Sequence, residues 1–173
     1  MQYLVIDDFF EDPKSIRNIG LNGTYYTKEN HPGNISDFPG CRTNYLNKWN
    51  QDLYDFLLKK QLDIVKNLID MSKYSEYWTK FSFSYTDKNI PLVEHRDFSD
   101  GFNGFKKFFG GIIYLNENPP RNTGTVLKGL TTIENKFNRY VIYDATKMHC
   151  IENSFGKDIN DSRMVLTHFI YLK

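Results

Sequence analysis

From about residue 76 onward, the apolar side chains recur at every second position, which is the period of a half-buried β-strand. Trp78, Phe81, Phe83 and Tyr85 alternate with small polar residues, with one slip near Lys80. Further strand-like runs occupy residues 92–95, 108–116, 125–128, 131–134, 140–143 and 165–172. Turn residues separate these runs, and many short strands at spacings of roughly ten residues predict a β-sandwich or barrel.

The first 75 residues have a different pattern. Residues 3–6 read as a short strand, and Asp12 followed by Pro13 is typical of a helix start, which predicts a helix over residues 13–21. Residues 24–48 contain two Pro-Gly pairs and are predicted to be loop. A second helix is predicted over residues 51–71, where the apolar residues recur at helical spacing. Its expected apolar stripe is wide, with Leu57, Ile64 and Leu68 beside Leu58, Leu62, Val65 and Ile69.

Composition limits the function classes. An aromatic content of 16% favours sheets, and a formal net charge of +1 gives no global attraction to nucleic acid or to an anionic membrane. Two cysteines are too few for a disulfide framework, and no apolar stretch approaches the ~20 residues of a membrane span. We therefore expect a cytoplasmic protein without membrane or nucleic-acid partners. Its richness in Asn, Lys and Ile fits an AT-rich genome, viral or bacterial.

The chemistry is concentrated in a His-x-Asp pair. His95 and Asp97 lie where a strand-like run gives way to a polar loop, and residues two apart on a strand point to the same face. His149 follows a second strand-and-turn unit, residues 140–145. Two histidines and one carboxylate on one face form the facial triad of non-haem Fe(II) oxygenases, which leaves open positions on the metal. We therefore predict a metal site at His95, Asp97 and His149.

Taken alone, a His-x-Asp pair often occurs by chance. The other candidate residues are expected to have structural or surface roles. His31 lies in a polar loop, and His168 is expected to face away from Thr167 and to be structural. Cys150 faces the other way from His149, so it is not expected to be a ligand. Arg42, in the loop after Pro39-Gly40, would lie at the entrance of a site or in solvent.

Five further features stand in a fixed order around the pair. They are Tyr85, which stands ten residues before His95; the run 110–116 with Tyr114; the turn 122–126; residues 142–144 before His149; and Arg163 with Thr167. In this order the chain resembles the Fe(II)/2-oxoglutarate-dependent dioxygenase superfamily, in particular its prolyl-hydroxylase-like branch. The resemblance covers residues 78–172.

The resemblance implies a mainly β fold with bracing helices, a double-stranded β-helix of the jelly-roll, cupin-like type. We expect one oxygenase domain over residues 1–173, with residues 1–75 bracing a core at residues 76–173. It also implies Fe(II) bound by the triad, with 2-oxoglutarate and dioxygen as cosubstrates. Arg163, Thr167, Tyr114 and Tyr85 are the implied 2-oxoglutarate contacts.

The implied activity is hydroxylation of a protein, peptide or small-molecule substrate, with succinate and CO2 as coproducts. The loop at residues 98–107 has no counterpart in the family pattern, and with residues 24–48 it is expected to recognise the primary substrate.

Two other functions stay open at this point. A cupin-like metal enzyme without 2-oxoglutarate would share the barrel, but such sites use more histidine ligands and need no equivalent of Arg163. A non-enzymatic β-sandwich binding module would make the His-x-Asp pair accidental. Metal binding and its dependence on 2-oxoglutarate distinguish the three hypotheses.

Overall fold

Two antiparallel sheets that face each other form the body of the molecule. The computed structural model describes residues 2–33, 38–91, 93–98 and 104–173. The strands are β1 (Tyr3–Ile6), β2 (Tyr25–Tyr26), β3 (Cys41–Thr43), β4 (Tyr77–Thr86), β5 (Lys107–Tyr114), β6 (Thr125–Leu127), β7 (Thr131–Ile133), β8 (Tyr140–Asp144), β9 (His149–Ile151) and β10 (Arg163–Leu172). The helices are α1 (Pro13–Leu21) and α2 (Gln51–Leu68), with 3-10 turns at Leu46–Lys48 and Met71–Lys73.

The larger sheet has the order β1-β8-β5-β10-β4-β3-β2, and the smaller one has the order β7-β6-β9. Ile112, Val141 and Val165 of the larger sheet pack against Leu127 and Ile133 of the smaller one. A second core lies on the outer face of the larger sheet, under the helices. This arrangement is a double-stranded β-helix with bracing helices, so the predicted fold class is confirmed.

The central strand β10 separates the two cores by simple alternation. Met164, Leu166 and Ile170 belong to the core under the helices. Arg163, Val165, Thr167 and Phe169 point to the opposite face and line a cavity between the sheets. Because side chains alternate along a strand, every second residue of β10 from Arg163 to Phe169 faces this cavity.

Helix α1 begins as predicted, because Asp12 accepts a hydrogen bond from the Ser15 amide (3.1 Å) and Pro13 follows it. Helix α2 ends at Leu68, earlier than predicted, and a 3-10 turn follows. Its buried residues are Leu53, Leu57, Gln61 and Val65. Most of the expected wide stripe is confirmed, because Leu57 and Val65 belong to the core and Leu58, Ile64, Leu68 and Ile69 pack against it. Neither described helix combines the length and apolar character that crossing a bilayer would need.

Gln61 is buried because it joins a polar chain beneath the larger sheet. The Tyr77 and Thr79 hydroxyls donate to its Oε1 (2.6 and 2.8 Å), so its amide nitrogen donates to Nδ1 of His168 (2.9 Å). His168 is fully buried, and burial lowers its pKa to about 3. The prediction that His168 is structural and faces away from Thr167 is therefore confirmed.

Two local predictions are wrong, and one strand was not predicted. Residues 24–48 are not all loop, because they contain β2, β3 and a 3-10 turn, while residues 34–37 lie outside the described residues. The expected strand at 92–95 is reduced to a single bridge between His95 and His149, and Leu92 also lies outside them. Strand β9 was not predicted, since its three residues show no alternation.

Candidate metal centre

Backbone hydrogen bonds hold the predicted metal ligands in register. The His95 amide donates to the His149 carbonyl (3.0 Å), and the His149 amide donates to the His95 carbonyl (2.9 Å). The Asp97 amide donates to the carbonyl of Ala145 (3.1 Å). The short segment after residue 92 is therefore fixed to the chain between β8 and β9, although it forms no extended strand.

The three side chains converge. Nε2 of His95 lies 3.6 Å from Oδ1 of Asp97, and Nε2 of His149 lies 3.5 Å from Oδ2. One ligand atom from each residue falls within 4.8 Å of the other two. Two ligand bonds of about 2.1 Å, roughly at right angles, would separate their donor atoms by about 3 Å. The triad therefore has dimensions close to those of one shared ion.

Both imidazole rings are oriented through their other nitrogen. Nδ1 of His95 lies 3.0 Å from the Val93 carbonyl, and Nδ1 of His149 lies 3.0 Å from the Lys147 carbonyl. A carbonyl only accepts hydrogen bonds, so these partners place a proton on each Nδ1 and leave the Nε2 lone pairs directed at Asp97. The hydroxyl of Tyr143 lies 3.2 Å from Nε2 of His149.

The electrostatics of the centre suit a cation. His149 is buried, and burial lowers its pKa below the ordinary value although the Asp97 carboxylate opposes the shift. The imidazole is therefore kept in the neutral form that binds metals. Oδ2 of Asp97 is buried and has no hydrogen-bond partner among the described residues. Because a buried carboxylate oxygen without a partner is costly, this atom indicates that a positive ion belongs here.

Arg163 shares the cavity with the triad. Its side chain is 3% exposed, and its guanidinium donates to the carbonyls of Thr123 (3.0 Å) and Gly124 (3.5 Å) and to the Thr125 hydroxyl (3.3 Å). Burial lowers the pKa of Arg163. Within the described part of the chain it has no carboxylate partner, so a buried cation faces the cavity with its charge uncompensated.

The remaining implied 2-oxoglutarate contacts are placed differently. Thr167 lines the cavity, and its hydroxyl donates to the Ser82 carbonyl (3.0 Å). Tyr114 is fully buried one layer behind, where its hydroxyl meets that of Thr125 at 2.7 Å. Tyr85 points to the opposite face of β4 and packs against Tyr25, with ring centroids 5.0 Å apart. The structure therefore does not bring Tyr85 to the cavity.

Several cavity residues were not singled out from the sequence. Ser84 and Thr86 line the cavity because they share the inward face of β4, and Thr125 lines it from β6. Arg42, expected at an entrance or in solvent, lies instead on β3 and is buried in the cavity wall. The signal that could have found Ser84 and Thr86 is the alternation of small hydroxyl residues with aromatics from residue 81 to residue 86. Arg42 has no comparable signal.

Comparison with known proteins identifies the fold. No family model and no curated protein sequence matches the chain. Solved structures do match, among them the viral collagen prolyl hydroxylase vCPH from Paramecium Bursaria Chlorella virus-1 in its 2OG complex, at 14% identity and a TM-score of 0.68, covering 99% of this chain and 96% of that one. HygX from Streptomyces hygroscopicus with nickel and 2-oxoglutarate matches at 14% identity and a TM-score of 0.69, covering 99% and 82%.

A Pseudomonas putida prolyl-4-hydroxylase matches at 11% identity and a TM-score of 0.62, covering 99% of this chain and 92% of that one. Identities this low establish a shared fold. The similarity to prolyl-hydroxylase-like oxygenases, which the sequence motifs predict, is confirmed at that level. What the chain does must be argued from its own residues.

Proposed function

We propose that the chain is an Fe(II)- and 2-oxoglutarate-dependent oxygenase that hydroxylates a primary substrate and releases succinate and CO2. One observation carries this proposal: a His-Asp-His triad and a buried arginine without a carboxylate partner line the same cavity. A metal and a diacid cosubstrate would satisfy both groups at once. The fold shared with proteins solved in complex with 2-oxoglutarate supports the assignment.

The triad would hold Fe(II) through Nε2 of His95, Nε2 of His149 and a carboxylate oxygen of Asp97. Bound Fe(II) would supply oxygen-activating redox chemistry, while the protein supplies position and a dry pocket. The neutral state of His149 and the unpartnered Oδ2 of Asp97 fit this ligand set. Within the described residues, His31 contacts the Thr43 carbonyl and His168 contacts the Gln61 side chain. Neither histidine joins the triad, which counts against a cupin-like site with more histidine ligands.

Arg163 would bind the far carboxylate of 2-oxoglutarate. A guanidinium offers a planar fork that matches a carboxylate with two parallel hydrogen bonds, and burial strengthens such bonds. Thr125 and Thr167 bring hydroxyl groups to the same wall. Tyr114 would act indirectly, because its hydroxyl fixes that of Thr125. Tyr85 is not part of this proposed site, since it faces away from the cavity.

The primary substrate is proposed to be a protein, a peptide or a small molecule. The larger sheet takes strands from both parts of the sequence, since β1 pairs with β8 and β3 pairs with β4. We therefore propose that residues 1–173 work as one oxygenase domain. Both cysteines are free thiols, which supports a reducing, cytoplasmic location. Residues 99–103 of the expected recognition loop lie outside the described residues.

The proposal is tested with purified protein loaded anaerobically with Fe(II). We expect 2-oxoglutarate to bind by calorimetry only in the presence of metal, and succinate to form slowly on exposure to air even without a primary substrate. Asp97→Ala should abolish both results, whereas Asp63→Ala, which removes an exposed carboxylate on α2, should change neither.

Two results would contradict the proposal. Metal binding without any effect of 2-oxoglutarate would favour a cupin-like enzyme. Unchanged Fe(II) affinity in Asp97→Ala would exclude both metal enzymes and leave the binding module.

A further inference from the structure

A second buried arginine lines the cavity. Arg42 lies in the middle of β3, outside the seven strands β4 to β10, and pairs with Ser84 of β4. Its side chain is 9% exposed, so nine-tenths of it is removed from solvent. It lines the same cavity as His95, Asp97 and Arg163. The implied cosubstrate contacts do not use it.

The guanidinium of Arg42 has aromatic neighbours and no acceptor. Its central carbon lies 4.7 Å from the ring centroid of Phe38 and 5.9 Å from that of Phe169. Among the described residues it makes no hydrogen bond and no ion pair, and its Nε is a buried donor without a partner. Burial lowers the pKa of Arg42, and the nearby Tyr45 and Asp97 oppose that shift.

Such an arrangement is incomplete without a ligand. Aromatic faces attract the positive charge, but they accept none of the in-plane N–H groups of a guanidinium in the way an oxygen does. A buried cation left without an acceptor is strongly destabilising, whereas a charge-assisted pair with an oxyanion satisfies it. The cavity is the open side from which an acceptor would come.

The two arginines have different neighbours in the cavity wall. Arg163 lies against Thr123, Gly124 and Thr125, at the start of β10. Arg42 lies beside Phe169, six residues farther along the same strand. Among the described residues, the groups that contact the Arg163 guanidinium differ from those that contact the Arg42 guanidinium, so the two arginines serve different parts of the cavity wall.

We propose that Arg42 binds an oxyanion, a carboxylate or a phosphate, of the primary substrate, which makes the substrate an anionic molecule. The proposal rests on the proposed function and names the substrate class of that site. In this proposal Arg163 holds the cosubstrate, and Arg42 holds the charged end of the substrate in another part of the same cavity. Phe38 and Phe169 flank the position and give it an apolar wall for the adjoining part of the substrate.

The test uses the full chain loaded with Mn(II) and excess 2-oxoglutarate, so that the cosubstrate position is occupied. The probes are butyrate, its neutral isostere butyramide, and propyl phosphate. Proton relaxation of each probe by the paramagnetic Mn(II), followed by NMR titration, reports binding beside the metal without requiring turnover. We expect at least one anion to bind about tenfold more tightly than butyramide, as a charged hydrogen bond provides. The preferred anion identifies the oxyanion.

Variants assign the preference to its residue. Arg42→Gln should reduce the preference for the anion to less than about twofold, and Arg42→Lys should keep part of it, because the charge remains but the fork is lost. Arg121→Gln, which removes an exposed arginine, should leave it unchanged. If Arg42→Gln does not fold, the test is decided by whether Arg42→Lys loses part of the preference for the anion over butyramide.

Equal binding of butyramide and both anions to the wild type would overturn the proposal, as would an anion preference that survives in Arg42→Gln and Arg42→Lys. If 2-oxoglutarate still binds in either case, only the role of Arg42 is overturned and the proposed oxygenase function stands. Failure of 2-oxoglutarate itself to bind overturns the proposed function and this inference with it.

Discussion

Gly110 lies so close to Asp97 that a Cβ at residue 110 would stand 2.7 Å from Oδ2 of that carboxylate. The same Cβ would lie 3.1 Å from a ring carbon of Tyr143. Real Cβ contacts are longer than the first of these distances, so any side chain at residue 110 must move the carboxylate. The glycine on β5 therefore makes room for a carboxylate of the candidate metal centre, which comes from another segment of the chain.

Replacing Gly110 by alanine should weaken metal binding. The methyl group would push the Asp97 carboxylate out of its position between the two histidines, and loss of ligand orientation costs about 10–100-fold in metal affinity. Titration calorimetry with Co(II), a stable substitute for Fe(II), measures this directly. An unchanged affinity in Gly110→Ala would show that the carboxylate does not depend on this contact.

The adjacent substitution Gly111→Ala is the matched control for Gly110→Ala, because a Cβ at residue 111 would point to the opposite face of β5. Its Cβ would lie 2.1 Å from the Val141 carbonyl and 2.3 Å from Nε2 of His168. Neither backbone nor a fully buried ring can yield easily, so we expect a loss of about 2 kcal/mol or more in the free energy of unfolding. Urea denaturation of the metal-free protein tests this. A loss below about 0.5 kcal/mol would contradict the packing described here.

Arg163→Lys should raise the KM for 2-oxoglutarate by about 10–100-fold, since a lysine keeps the charge but cannot make two parallel hydrogen bonds. Metal affinity should stay within about twofold, because Arg163 touches none of the three ligands. Succinate formation against 2-oxoglutarate concentration gives the KM. An unchanged KM would show that Arg163 does not bind 2-oxoglutarate.

Stability should fall in mild acid because of His168. Its pKa is about 3 in the folded protein against an ordinary value of 6.5, so between these values the unfolded chain binds a proton that the folded chain does not. The contribution is present above pH 6.5 and is lost as the pH falls towards 3. From pH 7.5 to pH 5 the loss is about 2 kcal/mol.

His168→Gln removes this titration. Urea unfolding of metal-free wild type and variant at both pH values isolates the difference, because the other histidines contribute equally to both proteins. The gap in stability between the two proteins should shift in favour of the variant by about 2 kcal/mol at the lower pH. A constant gap would mean that His168 titrates normally in the folded state.

The convergence of His95, Asp97 and His149 could be predicted from the sequence, although the strand on which that prediction relied does not form. A single backbone bridge between His95 and His149 brings the three side chains together instead. Tyr85 shows where spacing alone misleads. Its distance from His95 suggested a cosubstrate contact, yet it shares its strand face with Phe81 and Phe83, which pack beneath the helices. The alternation of β4 contained that information.

Arg42 could not be predicted in the same way. Strand β3 has three residues, too few for any period to appear, and it forms only because β4 offers a partner edge. The burial of Arg42 depends on Phe169, which is 127 residues away in the sequence. Contacts of this kind arise from the packing of distant segments, so no local sequence pattern predicts them.

Strand β3 has a bearing on how such a chain can diversify. It is attached to the margin of the larger sheet through β4, and its other neighbour is the two-residue strand β2. The residues of the candidate metal centre come from other segments, so substitutions in β3 leave that centre in place. Under the two proposals, exchange of Arg42 would alter which substrates the cavity accepts while the proposed iron chemistry is inherited unchanged.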